Sequence, residues 1–247
     1  MYKIIKIAGL LILLLPACFL QAQIKQKPIK TKQVTPATSI ANTAIAIVPP
    51  ATITSPVKIK ISTSLGDIIV VLSDKTPKHK DNFVKLVNAH FYDSLLFHRV
   101  INSFMIQGGD PNSKQAMPGA FLGNGDVGYT IPAEFDSTLY HKKGALAAAR
   151  NDNPAKASSG CQFYIVQGKK RSDSELDLIE TNSGVYFSPA KRMTYKMNGG
   201  TPILDMNYTV FGEVFAGMDI IDKIAASPTS SMDRPNQNVR MKIKIIK

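Results

Sequence analysis

The sequence predicts a mainly β protein, built as a closed eight-stranded antiparallel barrel with two capping helices and a helical insertion. Three observations support this prediction. Short apolar or alternating segments recur from residue 57 onward and are separated by Gly, Asn and Pro turns. One helical pattern comes early and another comes late, as a barrel with helical lids would require. A polar stretch near residues 170–198 fits neither pattern and indicates an insertion.

The first elements are a predicted hairpin and a helix. "VKIKIST" alternates apolar and polar residues, "LG" forms a turn, and "DIIVVLS" continues as a second strand. "TPKHKDNFVKLVNAHF" then predicts a helix with Thr76 at the cap and Pro77 in the first turn. The apolar stripe of this helix consists of Phe83, Leu86, Val87 and Phe91.

Further strands and a late helix complete the predicted barrel. The strand segments are "LLFHRV", "SFMIQGG", "YTIPAEF", "GALAAAR", "CQFYIVQG", "YTVFGEV" and "VRMKIKII", and "GMDIIDKIAA" predicts the late helix. In the insertion, Ser172 and Glu175 have the spacing of a capping box, and Ser188–Pro189 predicts a second helix start. Gly199 offers a stop, so we expect a pair of helices on the surface.

The N-terminal segment predicts export. Residues 1–22 place two lysines before an apolar run and end in small residues, which is the plan of a signal peptide. A retained anchor helix is the alternative, although the apolar run is short for a membrane span. Lipid attachment at Cys18 is a second alternative, because "LPAC" resembles a lipobox. We therefore expect a periplasmic protein, or one anchored to the cell envelope through Cys18.

Residues 23–56 predict a disordered tether, rich in Thr, Ala, Lys and Pro, ahead of a single domain at 57–247. The net charge of +12 comes largely from eight lysines in the first 66 residues, where no acidic residue occurs. No basic stripe with interleaved aromatic residues follows, so the sequence argues against nucleic-acid binding. Only Cys18 and Cys161 are present, which argues against a disulfide framework, and we expect Cys161 to be a small buried residue.

The usual catalytic motifs do not occur in this sequence. The four histidines show no HExxH spacing, and there is no GxSxG, P-loop or GxGxxG motif. We therefore predict neither a metal nor a cofactor. Asp110, followed by Pro111, is interpreted as a turn residue because it lacks the paired carboxylate that hydrolytic chemistry uses. His98, beside Arg99, is interpreted as packed or hydrogen-bonded rather than catalytic.

The stretch "FHRVINSFMIQGGDP" places Arg99 and Gln107 among apolar residues, with no nucleophile beside them. Rotation about an X–Pro peptide bond needs neither a nucleophile nor a metal, and its barrier of about 18–20 kcal/mol arises from amide resonance. A pocket for the proline ring, with donors that favour the twisted amide, would lower this barrier. Arg99, Gln107, Phe104 and Met105 are a set of residues suited to that task.

Four motifs, "FHRVINSFMIQGGDP", "YTIPAEF", "SSGCQFYIV" and "LDMNYTVFGEV", occur in an order that closely resembles the cyclophilin-type peptidyl-prolyl cis-trans isomerases. The resemblance covers about residues 57–247, outside the insertion. The insertion together with "GGTPxLD" is similar to secreted isomerases of Bacteroidetes-like bacteria. The resemblance implies a cyclophilin-like barrel with a substrate groove on its outer face, and an exported enzyme that assists folding.

The resemblance also implies roles for individual residues. Arg99 would be the catalytic guanidinium, and Gln107 would organise the site. The residues implied around the proline ring are Phe104, Met105, Tyr164 and Leu204. Those implied beside the preceding residue are Ala149, Arg150 and Gln162, and Tyr208 stands where many relatives carry His. Strand alternation predicts that Phe104 and Met105 point to opposite faces, with Phe104 lining the groove more directly.

Several positions depart from the family pattern. Tyr164 replaces the usual Phe and is expected to add a hydroxyl to the pocket, Arg150 replaces an Asn, and Ile203 occupies a position linked to cyclosporin affinity. These departures keep open an alternative function, a proline-peptide-binding or chaperone module with little turnover. The expected partners are proline-containing polypeptides, the expected oligomeric state is a monomer, and membrane association is expected only if Cys18 is lipidated.

Overall fold

The computed structural model describes residues 56–247. The predicted signal peptide, the tether up to residue 55 and Cys18 lie outside these residues and remain predictions. No helix within 56–247 is both long enough and apolar enough to span a bilayer.

Eight antiparallel strands form one curled sheet, which confirms the mainly β prediction. In sheet order the strands are β10 (Met241–Ile246), β1 (Lys58–Thr63), β2 (Gly66–Leu72), β9 (Val210–Ala216), β6 (Ala145–Ala148), β8 (Phe163–Val166), β4 (Met105–Gly108) and β3 (Phe97–Ile101). The predicted hairpin is present, with Ile59 opposite Val70 and Ile61 opposite Ile68. Period-2 alternation turns these four apolar side chains into the barrel.

The prediction of a closed barrel is not confirmed, because β3 and β10 do not form a continuous ladder. Only an isolated bridge between Leu96 and Arg240 joins these edges, together with backbone hydrogen bonds such as that from Phe97 N–H to Val239 C=O, 2.9 Å. The two strands meet at one corner and then separate, so the sheet is a curled half-barrel. A loop at 230–238 precedes β10 and takes part in the site described below.

Two helices complete the core inside the curled sheet. Helix α1 (Pro77–Asn88) contributes Phe83, and α4 (Met218–Ala225) contributes Ile221 and Ile224, to one large apolar cluster with the inward side chains of the strands. The ring of Phe83 meets that of Phe163 edge to face, with centroids 5.4 Å apart. This cluster confirms the predicted early and late helices. Cys161 belongs to the same cluster and is buried, as predicted.

The N-terminus of α1 is capped by a residue other than the one predicted. Thr76 holds the cap position, yet its side chain makes no capping hydrogen bond. The Glu134 carboxylate instead accepts hydrogen bonds from the backbone N–H groups of Lys78 and His79, at 3.1 and 3.0 Å. A carboxylate at this end of a helix satisfies free donors and complements the helix dipole. Residues 55 positions apart in sequence make this cap, so local pattern could not predict it.

The segment "YTIPAEF" lies outside the main sheet. Only β5 (Thr130–Ile131) is extended there, and it pairs with β7 (Ser158–Ser159) in a separate two-stranded sheet. Pro132 has no backbone N–H group and follows directly, which prevents the ladder from continuing. The predicted barrel strand is therefore wrong at this position.

The insertion contains two helices, α2 (Asp173–Ser183) and α3 (Pro189–Met197). The predicted capping box is present, since Ser172 accepts from the Glu175 N–H and Glu175 accepts from the Ser172 N–H. Leu176, Phe187 and Tyr195 form a small core of their own within the insertion. The two ends of the insertion lie next to each other, since Gly200 N–H donates to Lys169 C=O at 3.1 Å.

Candidate active site

The register of four strands aligns the predicted site residues across the outer face of the sheet. Arg99 on β3 pairs with Gln107 on β4, Gln107 pairs with Tyr164 on β8, and Tyr164 pairs with Ala147 on β6. The neighbouring residue Phe163 faces the inner core, whereas Tyr164 belongs to a second apolar cluster on the outer face. Local alternation combined with long-range pairing thus gathers residues that lie far apart in sequence.

A cavity of about 770 Å³ lies over this row. Its volume is in the range of sites that enclose a small ligand or a short peptide segment. All the residues predicted to form the site line it except Gln162; they are Arg99, Phe104, Met105, Gln107, Ala149, Arg150, Tyr164, Leu204 and Tyr208. Two loops, 118–124 and 230–238, contribute the remaining walls.

Arg99 lines the cavity, and its side chain is 45% exposed. Its Nε donates to the Oδ2 atom of Asp233 at 3.4 Å. Asp233 adopts a left-handed backbone conformation with φ 60°, which Asp tolerates better than most residues. The Val100 N–H donates to the Asp233 carbonyl at 2.8 Å, so the strand that carries Arg99 also holds this loop residue in place.

Two glutamines connect the row to one loop of the cavity. Gln107 Nε2 donates to Gln162 Oε1 at 3.0 Å, and Gln162 Nε2 donates to the carbonyls of Gly123 and Gly125 at 2.9 and 2.7 Å. Gln162 is buried and does not line the cavity, so its predicted direct place beside the substrate is not seen. Its contacts instead orient the Gln107 amide and hold the 118–124 loop.

Asp110 also fixes this loop. It caps the turn Pro111–Ser113, consistent with its interpretation as a turn residue, by accepting from the Asn112 N–H at 2.7 Å. The buried carboxylate also accepts from the Gly123 N–H. Gly109 precedes it with φ 96°, and a Cβ atom there would lie 2.3 Å from the Cys161 carbonyl oxygen. The "GGD" of the motif thus lets the chain turn sharply and anchor the cavity wall.

The base of the cavity is apolar. Met105 and Tyr164 are buried, and Phe104 and Leu204 are partly buried against the same outer cluster. The prediction that Phe104 and Met105 point to opposite faces is wrong, because both line the cavity. Strand β4 begins at Met105, so Phe104 lies in the preceding turn and strand alternation does not apply to it.

Arg150 and Tyr208 form a second wall. Arg150 Nη2 donates to Asn207 Oδ1 at 2.7 Å, and Arg150 Nε donates to the Asn207 carbonyl at 3.0 Å. The guanidinium carbon lies 4.8 Å from the centroid of the Tyr208 ring, a cation–π contact. These contacts fix Arg150 as a flat, rigid surface, in contrast to the half-exposed Arg99.

The Tyr164 hydroxyl does not present itself to the cavity as expected. It lies 2.9 Å from His141 Nε2, and both side chains are buried. Burial raises the pKa of Tyr164 well above its ordinary value, which keeps the hydroxyl protonated. The departure from Phe therefore places a polar anchor behind the apolar wall.

Several cavity residues were not identified from the sequence. Phe121, Met232, Arg234 and Asn236 come from the two loops, and His98 comes from β3. Arg234 Nη1 donates to the carbonyls of Met117 and Ala120, at 3.2 and 2.6 Å, and so fastens one loop to the other. No local pattern marks these loop residues, because the tertiary contact between the loops brings them to the cavity.

His98 is packed, as the sequence predicted, and it also reaches the cavity wall. Its side chain is 3% exposed. Burial, opposed in part by the charge of Asp110, lowers the pKa of His98 to about 4, so the imidazole is neutral near pH 7. Because the His98 ring is neutral, Arg99 rather than His98 carries the positive charge at this part of the cavity.

This arrangement can bind and polarise an amide without covalent chemistry. The cavity offers an apolar base, a half-exposed guanidinium and an oriented amide. Within residues 56–247, no group of three His, Cys, Asp or Glu side chains is placed to hold a metal ion. The fold and the site together define a curled β-sheet protein with an apolar cavity edged by an arginine and an oriented glutamine amide.

Comparison with known families gives this class its name. The model of a family described as "Cyclophilin type peptidyl-prolyl cis-trans isomerase/CLD" matches residues 58–245. The chain belongs to the cyclophilin-type peptidyl-prolyl cis-trans isomerase family, a family of enzymes that isomerise X–Pro peptide bonds.

Two curated relatives illustrate the similarity. A Streptococcus pyogenes protein named "Putative bifunctional phosphatase/peptidyl-prolyl cis-trans isomerase" is 37% identical over 186 residues, which cover 74% of this chain but 37% of that protein. A Staphylococcus haemolyticus "Putative peptidyl-prolyl cis-trans isomerase" is 34% identical over 184 residues, or 74% of this chain and 87% of the relative. Neither relative tests the predicted similarity to Bacteroidetes-like enzymes, which remains a prediction.

Solved structures share the fold. A crystal structure of a cyclophilin-type peptidyl-prolyl cis-trans isomerase from Cryptosporidium parvum matches with a TM-score of 0.59 and 23% identity, covering 78% of this chain and 98% of that one. A second structure of that protein, obtained in the presence of the dipeptide Ala-Pro, matches with a TM-score of 0.55 and 23% identity, covering 77% and 99%.

Proposed function

We propose that this protein accelerates cis-trans isomerisation of X–Pro bonds in exported polypeptides, with Arg99 as the catalytic residue. The observation that supports this most directly is the shared cavity, which Arg99 lines together with the apolar residues Phe104 and Met105 and the ring of Tyr164. The proline ring would occupy the apolar base. Gln107, Arg150 and Ala149 would hold the neighbouring peptide groups.

The proposed mechanism is stabilisation of the twisted amide. As the X–Pro bond rotates, the amide loses conjugation and lone-pair density gathers on the proline nitrogen. A guanidinium N–H donated to that nitrogen stabilises the twisted state more than either planar state, which is the condition for catalysis. The Asp233 contact engages Nε of Arg99, which leaves the two Nη groups to donate to a bound substrate.

The test is a protease-free exchange measurement on a proline-containing tetrapeptide by NMR. Removing one donor to a developing charge costs about 10²–10³ in rate, so Arg99→Ala should lose most of the catalysed exchange. Arg240→Ala is the matched control, because Arg240 is an exposed arginine that does not line the cavity. Equal rates for Arg99→Ala and the unaltered protein would rule out the mechanism. Tight peptide binding with negligible exchange by the unaltered protein would select the binding-module alternative.

Export is a separate part of the proposal. It rests on the signal-peptide pattern of residues 1–22 and on the similarity of the insertion and "GGTPxLD" to secreted bacterial isomerases. We expect a periplasmic protein whose mature N-terminus is Gln23. Mass spectrometry of protein purified from its native cells tests this directly. A lipid-modified N-terminal Cys18 would instead select envelope anchoring, and an unprocessed N-terminus would contradict both. We expect the protein to be a monomer and to elute as one in size-exclusion chromatography.

A further inference from the structure

A buried chain of hydrogen bonds runs from the cavity wall to the insertion. The Tyr164 hydroxyl lies 2.9 Å from His141 Nε2, and His141 Nδ1 lies 2.9 Å from Asp205 Oδ1. The Tyr195 hydroxyl of α3 donates to Asp205 Oδ2 at 2.8 Å. All four residues are buried, and Tyr195 has no exposed surface. The centre of the insertion is therefore joined to the base of the cavity by three side-chain contacts.

The positions of the protons follow from the acceptors. Asp205 accepts from Tyr195 on one oxygen, and from the His141 backbone N–H on the other at 2.8 Å. A carboxylate at Asp205 offers only acceptors, so a neutral His141 ring bonded to it carries its proton on Nδ1. Nε2 is then an acceptor for the Tyr164 hydroxyl. Both tyrosines donate, every member of the chain is satisfied, and such a network holds its members rigidly in low-dielectric surroundings.

The hydrogen-bonded chain contacts two parts of the cavity wall. Tyr164 is at one end, and Asp205 immediately follows the 3-10 turn Pro202–Leu204, whose Leu204 lines the cavity. Helix α2 of the insertion packs against the same turn. Tyr195 is also part of the small core of the insertion with Leu176 and Phe187. The insertion thus reaches the pocket through a packing contact and a polar contact that converge on neighbouring residues.

We infer that Tyr195, acting through Asp205 and His141, is a positioning residue that fixes Tyr164 and Leu204 and thereby sets how large a ring the proline pocket admits. This inference rests on the proposed function. Without the Tyr195 hydroxyl, one oxygen of a buried carboxylate loses its side-chain donor, and the side chain is free to turn away from His141. The Tyr164 ring then loses a fixed anchor, and the pocket becomes less selective for the five-membered ring of proline.

The experiment measures ring selectivity. Two tetrapeptides, one with proline and one with its six-membered homologue pipecolic acid, are assayed by NMR exchange, and the ratio of their kcat/KM values is recorded. Because one hydrogen bond is lost, Tyr195→Phe should lower this ratio about threefold to tenfold, mainly through faster turnover of the larger ring. Tyr140→Phe is the matched control. The Tyr140 hydroxyl also meets α3, at Thr194 Oγ1, 3.2 Å away, but it has no contact with Asp205, so the ratio should not change.

A double-mutant cycle tests whether the effect passes along the chain. Tyr164→Phe should reproduce the loss of selectivity, and combining it with Tyr195→Phe should add little, because both variants break the same network. An unchanged ratio in Tyr195→Phe, or fully additive effects in the double variant, would overturn the inference. Nitrogen-15 shifts of the His141 ring provide an independent check in the unaltered protein. A proton on Nε2 instead of Nδ1 would contradict the chain even if a variant failed to fold.

Arg99→Ala, assayed in parallel, separates this inference from the proposed function. If Arg99→Ala abolishes exchange while Tyr195→Phe keeps the normal ratio, only the positioning role fails. If Arg99→Ala retains the full rate, the proposed mechanism fails independently of the ratio. Thermal unfolding of Tyr195→Phe and Tyr164→Phe shows whether either variant is partly unfolded. Partial unfolding alone would lower the activity on both peptides in proportion and leave their ratio unchanged.

Discussion

His98 should make the stability of this protein depend on pH. Its imidazole is buried on β3 between the core and the cavity. Burial lowers its pKa to about 4, with Asp110 opposing the shift and the positive charges of Arg99 and Arg234 adding to it. In the unfolded chain, histidine has its ordinary pKa of about 6.5. The unfolded state therefore takes up a proton first as the pH falls.

The sign and the size of the effect follow from this difference. Between about pH 6.5 and pH 4, the unfolded state binds more protons than the folded state, so the free energy of unfolding falls as the pH is lowered. Above about pH 6.5, both states are neutral at His98 and the contribution is constant. The pKa of His98 differs by about 2.5 between the two states, and one pKa unit corresponds to about 1.36 kcal/mol. The full effect of His98 on the free energy of unfolding is therefore about 3 kcal/mol.

Urea unfolding at pH 7 and pH 4.5 measures this contribution. His98→Gln keeps a polar side chain but cannot titrate, so it should lose about 2–3 kcal/mol less stability than the unaltered protein over this interval. The other titrating groups act in both proteins and cancel in the comparison. His90→Asn is the control, because His90 is exposed and its left-handed backbone, φ 55°, suits Asn. Equal losses in His98→Gln and the unaltered protein would refute the assignment of a strongly shifted, buried His98.

Two further predictions concern contacts between distant segments. Glu134→Gln removes the charge at the N-terminus of α1 and should lower the free energy of unfolding by about 1 kcal/mol in thermal denaturation. Glu213→Gln, which breaks an exposed ion pair, should change it by less than about 0.5 kcal/mol, and a reversed order would contradict the capping role. Asp233→Asn keeps the left-handed loop but weakens the hold on Arg99, so kcat/KM for a proline peptide should fall about threefold. The same exchange assay would exclude this role if the rate were unchanged.

Much of the site was predictable because its residues lie in short motifs. Arg99, Phe104 and Gln107 occur within one stretch, and their mixture of charge and apolar surface, with no nucleophile beside it, suits rotation of an amide bond. On β8, Phe163 belongs to the inner core and Tyr164 to the outer-face cluster, as alternation along a strand requires. The capping box at Ser172 was also predictable, because its partners are three residues apart.

Three of the errors arose where a long-range contact overrode a local pattern. Thr76 has the sequence position of a cap for α1, but the carboxylate that accepts the capping hydrogen bonds belongs to Glu134, which is distant in sequence. Gln162 resembled a substrate contact, but its amide is committed to Gln107 and a loop. The barrel remains open because β3 and β10 meet only at one corner, and strand patterns specify faces rather than the path of the last edge.

The sequence by itself determined most of the sheet-forming segments, the two core helices, the helical pair of the insertion and the residue types suited to isomerising a prolyl bond. Each of these depends on side chains a few positions apart, where periodicity and capping chemistry act directly. Only the tertiary structure decided that Asp233 holds Arg99 and that Tyr195 is linked to Tyr164 through two buried residues. Those contacts join segments whose approach is set by the packing of the whole domain, which no local pattern encodes.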